Sequence, residues 1–153
     1  MHKSIGFYLL RYAIACVLAF VLVSVGLAAF QAFQPDLYDQ AGPGVLMGAL
    51  SVLLIVPPLM PARAFVVNEA RPLRFGEGLI FAIGFGVIFV LVFGIMAFVG
   101  DKLAGETLLR DLSNDMSAAA VVISGIGLVA GLVGWLLLWA GIKGELKKLQ
   151  KRA

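Results

Sequence analysis

The sequence predicts an all-α fold, a polytopic membrane protein whose four transmembrane helices form an antiparallel bundle. Three observations lead there. The 153-residue chain is 61% hydrophobic and 14% charged, whereas soluble domains carry roughly a quarter charged residues, and its mean hydropathy is +1.02. Four apolar stretches, at about 5–33, 44–67, 78–99 and 118–142, approach or exceed the roughly 20 residues a helix needs to cross hydrocarbon. The basic residues between them are also unevenly distributed. Lys3, Arg11, Arg63, Arg71, Arg74 and five residues of the 143–153 tail fall on one side, against Lys102 and Arg110 on the other. That asymmetry sets both termini and the central loop in the cytoplasm. One transmembrane domain with a basic tail accounts for the whole length.

The first segment opens on Lys3 and runs apolar well past the roughly 7–15 residues of a signal-peptide core, so it reads as a retained span. Arg11 lies two turns in, where its stem can snorkel toward headgroups. Phe7, Tyr8 and Tyr12 beside it read as an interfacial aromatic belt. Cys16, the single cysteine, allows no intrachain disulfide and reads as a small core or lipid-facing residue. His2, the only histidine, reads as a solvated terminal group.

A connector, QPDLYDQAGPG, carries Asp36 and Asp39, and its Pro35, Gly42, Pro43 and Gly44 mark a turn region. The second span is the difficult one. Gly44 to Val56 supplies 13 apolar or small residues, about 20 Å of helix, short of a hydrocarbon core roughly 30 Å thick. Continuing to Val67 gives enough length, but only through Pro57 and Pro58, which free the carbonyls of Leu53 and Leu54. Two readings follow: a spanning helix kinked at Pro57-Pro58, or a helix ended at Val56 with an interfacial helix starting at Pro61.

The central loop then carries Arg63, Glu69, Arg71, Arg74 and Glu77. As a solvated, positively biased loop it fixes orientation. Arg63, Arg71, Arg74 and Glu77 are also the candidate docking residues for an anionic lipid or a partner protein. Phe65-Val66, a short polar run, Arg71-Pro72 and Glu77 opening the next helix resemble a family of small four-helix bacterial inner-membrane proteins, known by a locus-tag label and without an assigned activity. One residue separates the Arg from the Pro in that family's pattern, whereas here they adjoin. The resemblance extends to the order of the four hydrophobic segments, implies the bacterial inner membrane as location, and brings no catalytic residues.

In the third span Phe81, Phe85, Phe89 and Phe93 form one stripe, and Ala82, Gly86, Val90 and Gly94 a second about 100° away. The smaller stripe suits close helix contact, while the rings can fill the bundle or face lipid. The next connector carries Asp101, Glu106, Asp111 and Asp115, without the ordered spacing of a calcium loop. Its Leu108, Leu109, Leu112 and Met116 have the spacing of a surface amphipathic helix.

The fourth span has the most specific pattern. Ala120, Ser124, Gly127, Gly131, Gly134, Leu138 and Gly141 alternate steps of four and three, the 3.5-residue period of a left-handed helix pair. All but Leu138 are small, and small residues let membrane helices approach closely where hydrophobicity cannot drive them together. The expected partner is the small stripe of the third span. Trp135 and Trp139 read as an interfacial belt. In the tail, Lys143, Lys147, Lys148, Lys151 and Arg152 are set to contact anionic headgroups.

The apolar segments hold no nucleophile–base set and no metal-ligand cluster, so no enzyme activity and no cofactor are expected. Ion-coupled transport normally places ionisable groups near the midplane, and the third and fourth spans have none. The reading that fits best is a non-catalytic protein acting through helix and loop contacts, as an accessory subunit or a homo-oligomer. Its partners are membrane lipids and a second copy or another membrane protein, with no nucleic acid. The alternative is a small transporter or an oligomeric pore for an ion or apolar solute.

Overall fold

The computed structural model describes residues 3–104 and 116–151, and among these residues the chain is four helices without a strand. They are α1 (Ile5–Phe33), α2 (Pro35–Glu69), α3 (Phe75–Ala104) and α4 (Met116–Gln150). All four contain stretches long and apolar enough to span a membrane. Helix is what hydrocarbon demands, because each backbone donor and acceptor must be satisfied within its own segment. His2, Arg152 and Leu108, Leu109 and Leu112 of the expected surface helix lie outside the described residues, while its Met116 is the first residue of α4.

The turn expected over residues 34–44 is not formed as such: it contracts to Gln34. There the backbone leaves helical geometry (φ −142°, ψ 64°), and Pro35 starts α2 at once. Proline suits that first helical position, where its missing N–H would have had no partner, and Asp36 faces the positive end of the helix dipole. α2 is also unbroken at Pro57-Pro58, so the reading of a helix ended at Val56 is set aside. Pro57, Pro58 and Pro61 are fully buried, and beside them Ala62 and Leu59 lie against Gly141 of α4. Residues 143–150 of the tail continue α4 as helix.

Consecutive helices alternate in direction, yet the order around the bundle is α1, α2, α4, α3. Close backbone approaches join α3 to α4, α1 to α2, α2 to α4 and α1 to α3; among the described residues neither diagonal pair makes one, though the Phe65 and Phe81 rings of α2 and α3 meet 6.5 Å apart. Two of the four lateral pairs, α1–α3 and α2–α4, are therefore parallel. The short link 70–74 crosses the diagonal at the end where α1 begins and α4 finishes.

The core is a ladder of side chains from the parallel pair α1 and α3. Tyr8 meets Phe81 at 6.2 Å between ring centroids, Tyr12 stacks on Phe85 at 4.0 Å, and Phe20 meets Phe93 at 6.0 Å. Each rung joins residues 73 apart, so two stripes of four-residue spacing run in register. Tyr8 and Tyr12, expected at the interface, are instead 1% exposed. Their rings point inward because the α3 stripe offers aromatic partners there. Phe81, Phe85 and Phe89 fill the bundle, while Phe93 is partly open; Cys16 is buried between rungs.

On the other side of α3, backbone meets backbone. A methyl group at Gly86 would strike the Gly127 carbonyl oxygen, and one at Gly131 would strike that of Ala82. A Cβ at Gly127 would stand 3.0 Å from Val90 Cγ2, and one at Gly134 2.6 Å from Phe85 Cδ2. Gly127 and Gly131 thus face the small stripe of α3, while Gly134 meets Phe85 and Gly141 is turned to α2. Ala120 and Ser124, at the far end of the same register, are exposed.

Gly131→Ala should lower stability by about 1–3 kcal/mol, because the obstacle is backbone and cannot rotate away. Gly125 has open space around it, so Gly125→Ala should change stability by no more than about 0.5 kcal/mol. Unfolding in mixed detergent micelles checks the contrast; equal effects at the two sites would contradict close contact at Gly131.

Candidate functional site

At the end where the 70–74 link crosses the bundle, polar side chains from α1, α2, the link and α3 converge. The first component is local. Arg74 caps α3: its carbonyl accepts from the Gly78 N–H at 2.9 Å. Its own N–H donates to Glu77 Oε2 at 3.0 Å. That is the return half of a capping box, and it sets a carboxylate at the positive end of the helix dipole. Arg71 then grips Glu77 with both terminal nitrogens, at 2.9 and 2.6 Å. This two-point geometry makes a guanidinium–carboxylate pair directional. These hydrogen bonds to Glu77 raise the Arg71 pKa above its ordinary value.

The second component is Glu69, the last residue of α2, whose side chain is 3% exposed. A carboxylate withdrawn that far from water needs donors. Tyr8 Oη donates to it at 3.2 Å and the Lys3 backbone N–H at 2.9 Å, while Arg71 Nε lies 3.6 Å away. Arg71 thus links the two carboxylates, and its guanidinium sits 5.3 Å from the Phe65 ring. The turn before it is fixed by Ala70, a residue in left-handed conformation (φ 48°) whose N–H closes on the Val66 carbonyl. Together these contacts form a latch across three helices. With each carboxylate committed to the same guanidinium, the latch positions chain and offers no free acid–base pair.

Of the four loop residues predicted from sequence, Arg71, Arg74 and Glu77 come together, whereas Arg63 lies inside α2 in a separate groove with Lys3 and Arg11. Sequence reading passed over Tyr8 and Glu69 as site residues. The available signal was a tyrosine and a glutamate at opposite ends of two antiparallel helices joined by a tight break. In the tail, the Lys143 ammonium lies 4.9 Å from the Trp139 ring and Lys148 pairs with Glu145 at 2.6 Å, while Lys147 and Lys151 are exposed. Pro72 and Leu73 of the link share a small pocket with Trp139, Ile142, Lys143 and Leu146, so link and tail meet.

A second feature lies on the outer face of the α3–α4 contact. An open apolar groove of about 510 Å³ has a floor of Ala82, Gly86, Gly127 and Gly131 and the polar Ser124 at its end. Ile83, Val87 and Leu91 on one wall and Leu128 and Leu132 on the other are all exposed. Among the described residues no cluster of His, Cys, Asp or Glu could hold a metal ion.

Four apolar helices of this kind define an integral membrane protein of helical-bundle architecture. Beyond that class, comparison with protein-family models, curated proteins and solved structures gives no match to this chain.

The latch is testable through a double-mutant cycle of Arg71→Gln and Glu77→Gln. The Arg71 side chain is 30% exposed, so the expected coupling is about 1 kcal/mol, well below that of a fully buried pair. Unfolding measurements on the four variants give the value, and a coupling near zero would remove the latch from the account.

Proposed function

We propose that this is a small non-catalytic protein of the bacterial inner membrane that acts by holding another transmembrane helix, as an accessory subunit or within a homo-oligomer. The observation that carries the reading is the α3–α4 groove. Small residues on its floor permit a third backbone to approach closely, which is how helices associate when lipid and side chain are equally apolar. The exposed aliphatic walls, Val87 and Leu91 opposite Leu128 and Leu132, supply ridges for that helix to settle between. Ser124 adds a hydroxyl able to hydrogen-bond across the contact.

The interior gives support from the other direction. Tyr8, Tyr12, Phe81, Phe85 and Leu138 are closely buried along the axis, while Glu69, whose side chain is 3% exposed, lies at the end of α2 and not along that axis. That filling favours surface contact over passage of an ion or solute through a single copy. The charge asymmetry supports cytoplasmic termini, and it agrees with the family resemblance carried by Arg71-Pro72 and Glu77.

Leu128 is 64% exposed, so Leu128→Trp closes the groove without disturbing the bundle. Single-molecule counting of labelled protein in bilayers, together with identification of proteins that co-purify in mild detergent, reads the outcome. The wild type should associate with itself or with a membrane protein, and Leu128→Trp should lose at least about tenfold in that association, equivalent to roughly 1.4 kcal/mol. A wild type that is monomeric and alone in both settings, or a variant that associates normally, would overturn the reading.

A further inference from the structure

On the opposite side of the bundle, α1 and α2 enclose an open groove of about 760 Å³ lined by Lys3, Phe7, Arg11, Val56, Leu59, Met60, Arg63, Ala64, Val67 and Asn68. Its chemistry is divided. Val56, Leu59, Met60, Arg63 and Val67 share one face of α2, following the three- and four-residue steps of a helix. Toward the helix ends the lining is cationic, and toward the bundle centre it is aliphatic. No Asp or Glu lines it.

The three cations are exposed and, among the described residues, lack carboxylate partners. Among the described residues the ion pairs are Arg71–Glu69, Arg71–Glu77 and Lys148–Glu145, and none uses Lys3, Arg11 or Arg63. The nearest acid, Glu69, is occupied by the Tyr8 hydroxyl, the Lys3 backbone N–H and Arg71. What Arg11 and Lys3 do have is the Phe7 ring, 4.8 and 5.6 Å from their charged groups. A ring face steadies a cation without neutralising it.

Depth makes these charges informative. Arg11 lies six residues inside the start of α1 at Ile5, and Arg63 six residues inside the end of α2 at Glu69. At 1.5 Å per residue each is about 9 Å in from its helix end, so the two arginines are rooted at one level on antiparallel neighbours. Arginines rooted inside spanning helices require an anion or a route to water.

We propose that this groove is a binding site for one anionic phospholipid. Arg11 and Arg63 take the phosphate, Lys3 the outer part of the headgroup, and an acyl chain lies along Val56, Leu59 and Met60. Charge complementarity selects a phosphate, and the aliphatic half of the groove selects a phosphate that carries a tail. The site is distinct from the α3–α4 groove and depends only on residence in a bilayer, so it stands or falls separately from helix association.

Native mass spectrometry of the full chain, released from detergent with added phosphatidylglycerol, phosphatidylcholine or inorganic phosphate, tests it. The wild type should retain one phosphatidylglycerol in preference to phosphatidylcholine, and millimolar inorganic phosphate should not displace it. Arg11→Gln with Arg63→Gln should weaken retention about thirtyfold, while Lys147→Gln with Lys148→Gln, a tail control, should leave it within about twofold. Met60→Trp keeps every charge at a position 55% exposed, and should also reduce retention by filling the acyl half. Equal retention of both lipids by the wild type, a measurement that needs no substitution, would overturn the proposal. So would displacement by phosphate alone, or an equal loss in the tail control.

Discussion

The structure depends on one contact, the passage of the α3 backbone against the α4 backbone with no side chain between them. Gly86 lies on Gly127 and Ala82 on Gly131 so closely that an added methyl group at Gly86 or Gly131 would meet a carbonyl oxygen. In water such a seam would be a weak device, since it buries little apolar area. In hydrocarbon it is effective, because lipid competes poorly for the narrow space between two glycine faces and dispersion contacts accumulate where the backbones touch. Bringing α3 and α4 that close also leaves the outer groove with a floor of small residues, so the proposed binding surface is a by-product of the packing.

The remaining pairings follow from that contact. With α4 fixed on the small face of α3, the phenylalanine face, about 100° around the helix, turns to α1. There it meets Tyr8, Tyr12 and Phe20 in register. α2 closes the ring against α1 and α4, with Gly141 receiving Ala62. The 70–74 link must then cross a diagonal, and the latch of Glu69, Arg71 and Glu77 sits where that crossing would otherwise be loose. The division of labour is clear: close backbone contact in the hydrocarbon, charge-assisted hydrogen bonds at its edge. Each interaction is used in the solvent where it is strong.

Much of this was legible in the sequence, for specific reasons. Four spans were legible because hydrocarbon imposes a length and a composition. The middle of the α4 seam, Gly127 and Gly131, was legible because small residues recurring every 3.5 positions have few other uses, whereas Ala120 and Ser124 share the register and are exposed, and Gly141 meets α2. The α2 start was not: Pro35, Gly42, Pro43 and Gly44 have the composition of a turn, yet proline at a first helical position and glycine within a helix are both compatible with what forms. Tyr8 and Tyr12 look like belt residues from composition, and only the in-register α3 stripe turns them inward. Arg63 belongs to the central loop by sequence proximity and to the α1–α2 groove by helical phase. The ring order α1, α2, α4, α3 has no local signature, since it arises from how faces on different helices match.

The most direct test is a disulfide cross-link between α3 and α4 in native membranes, using Val90→Cys with Gly127→Cys in a Cys16→Ser background. A Gly127 Cβ would stand 3.0 Å from Val90 Cγ2, within reach of the Cβ separation that a disulfide requires, about 3.5–4.5 Å. The account predicts rapid and nearly complete cross-linking on mild oxidation, with none for a cysteine pair at the same level on α2 and α3. A folded protein in which the 90–127 pair fails to form, or in which the α2–α3 pair forms instead, would contradict it.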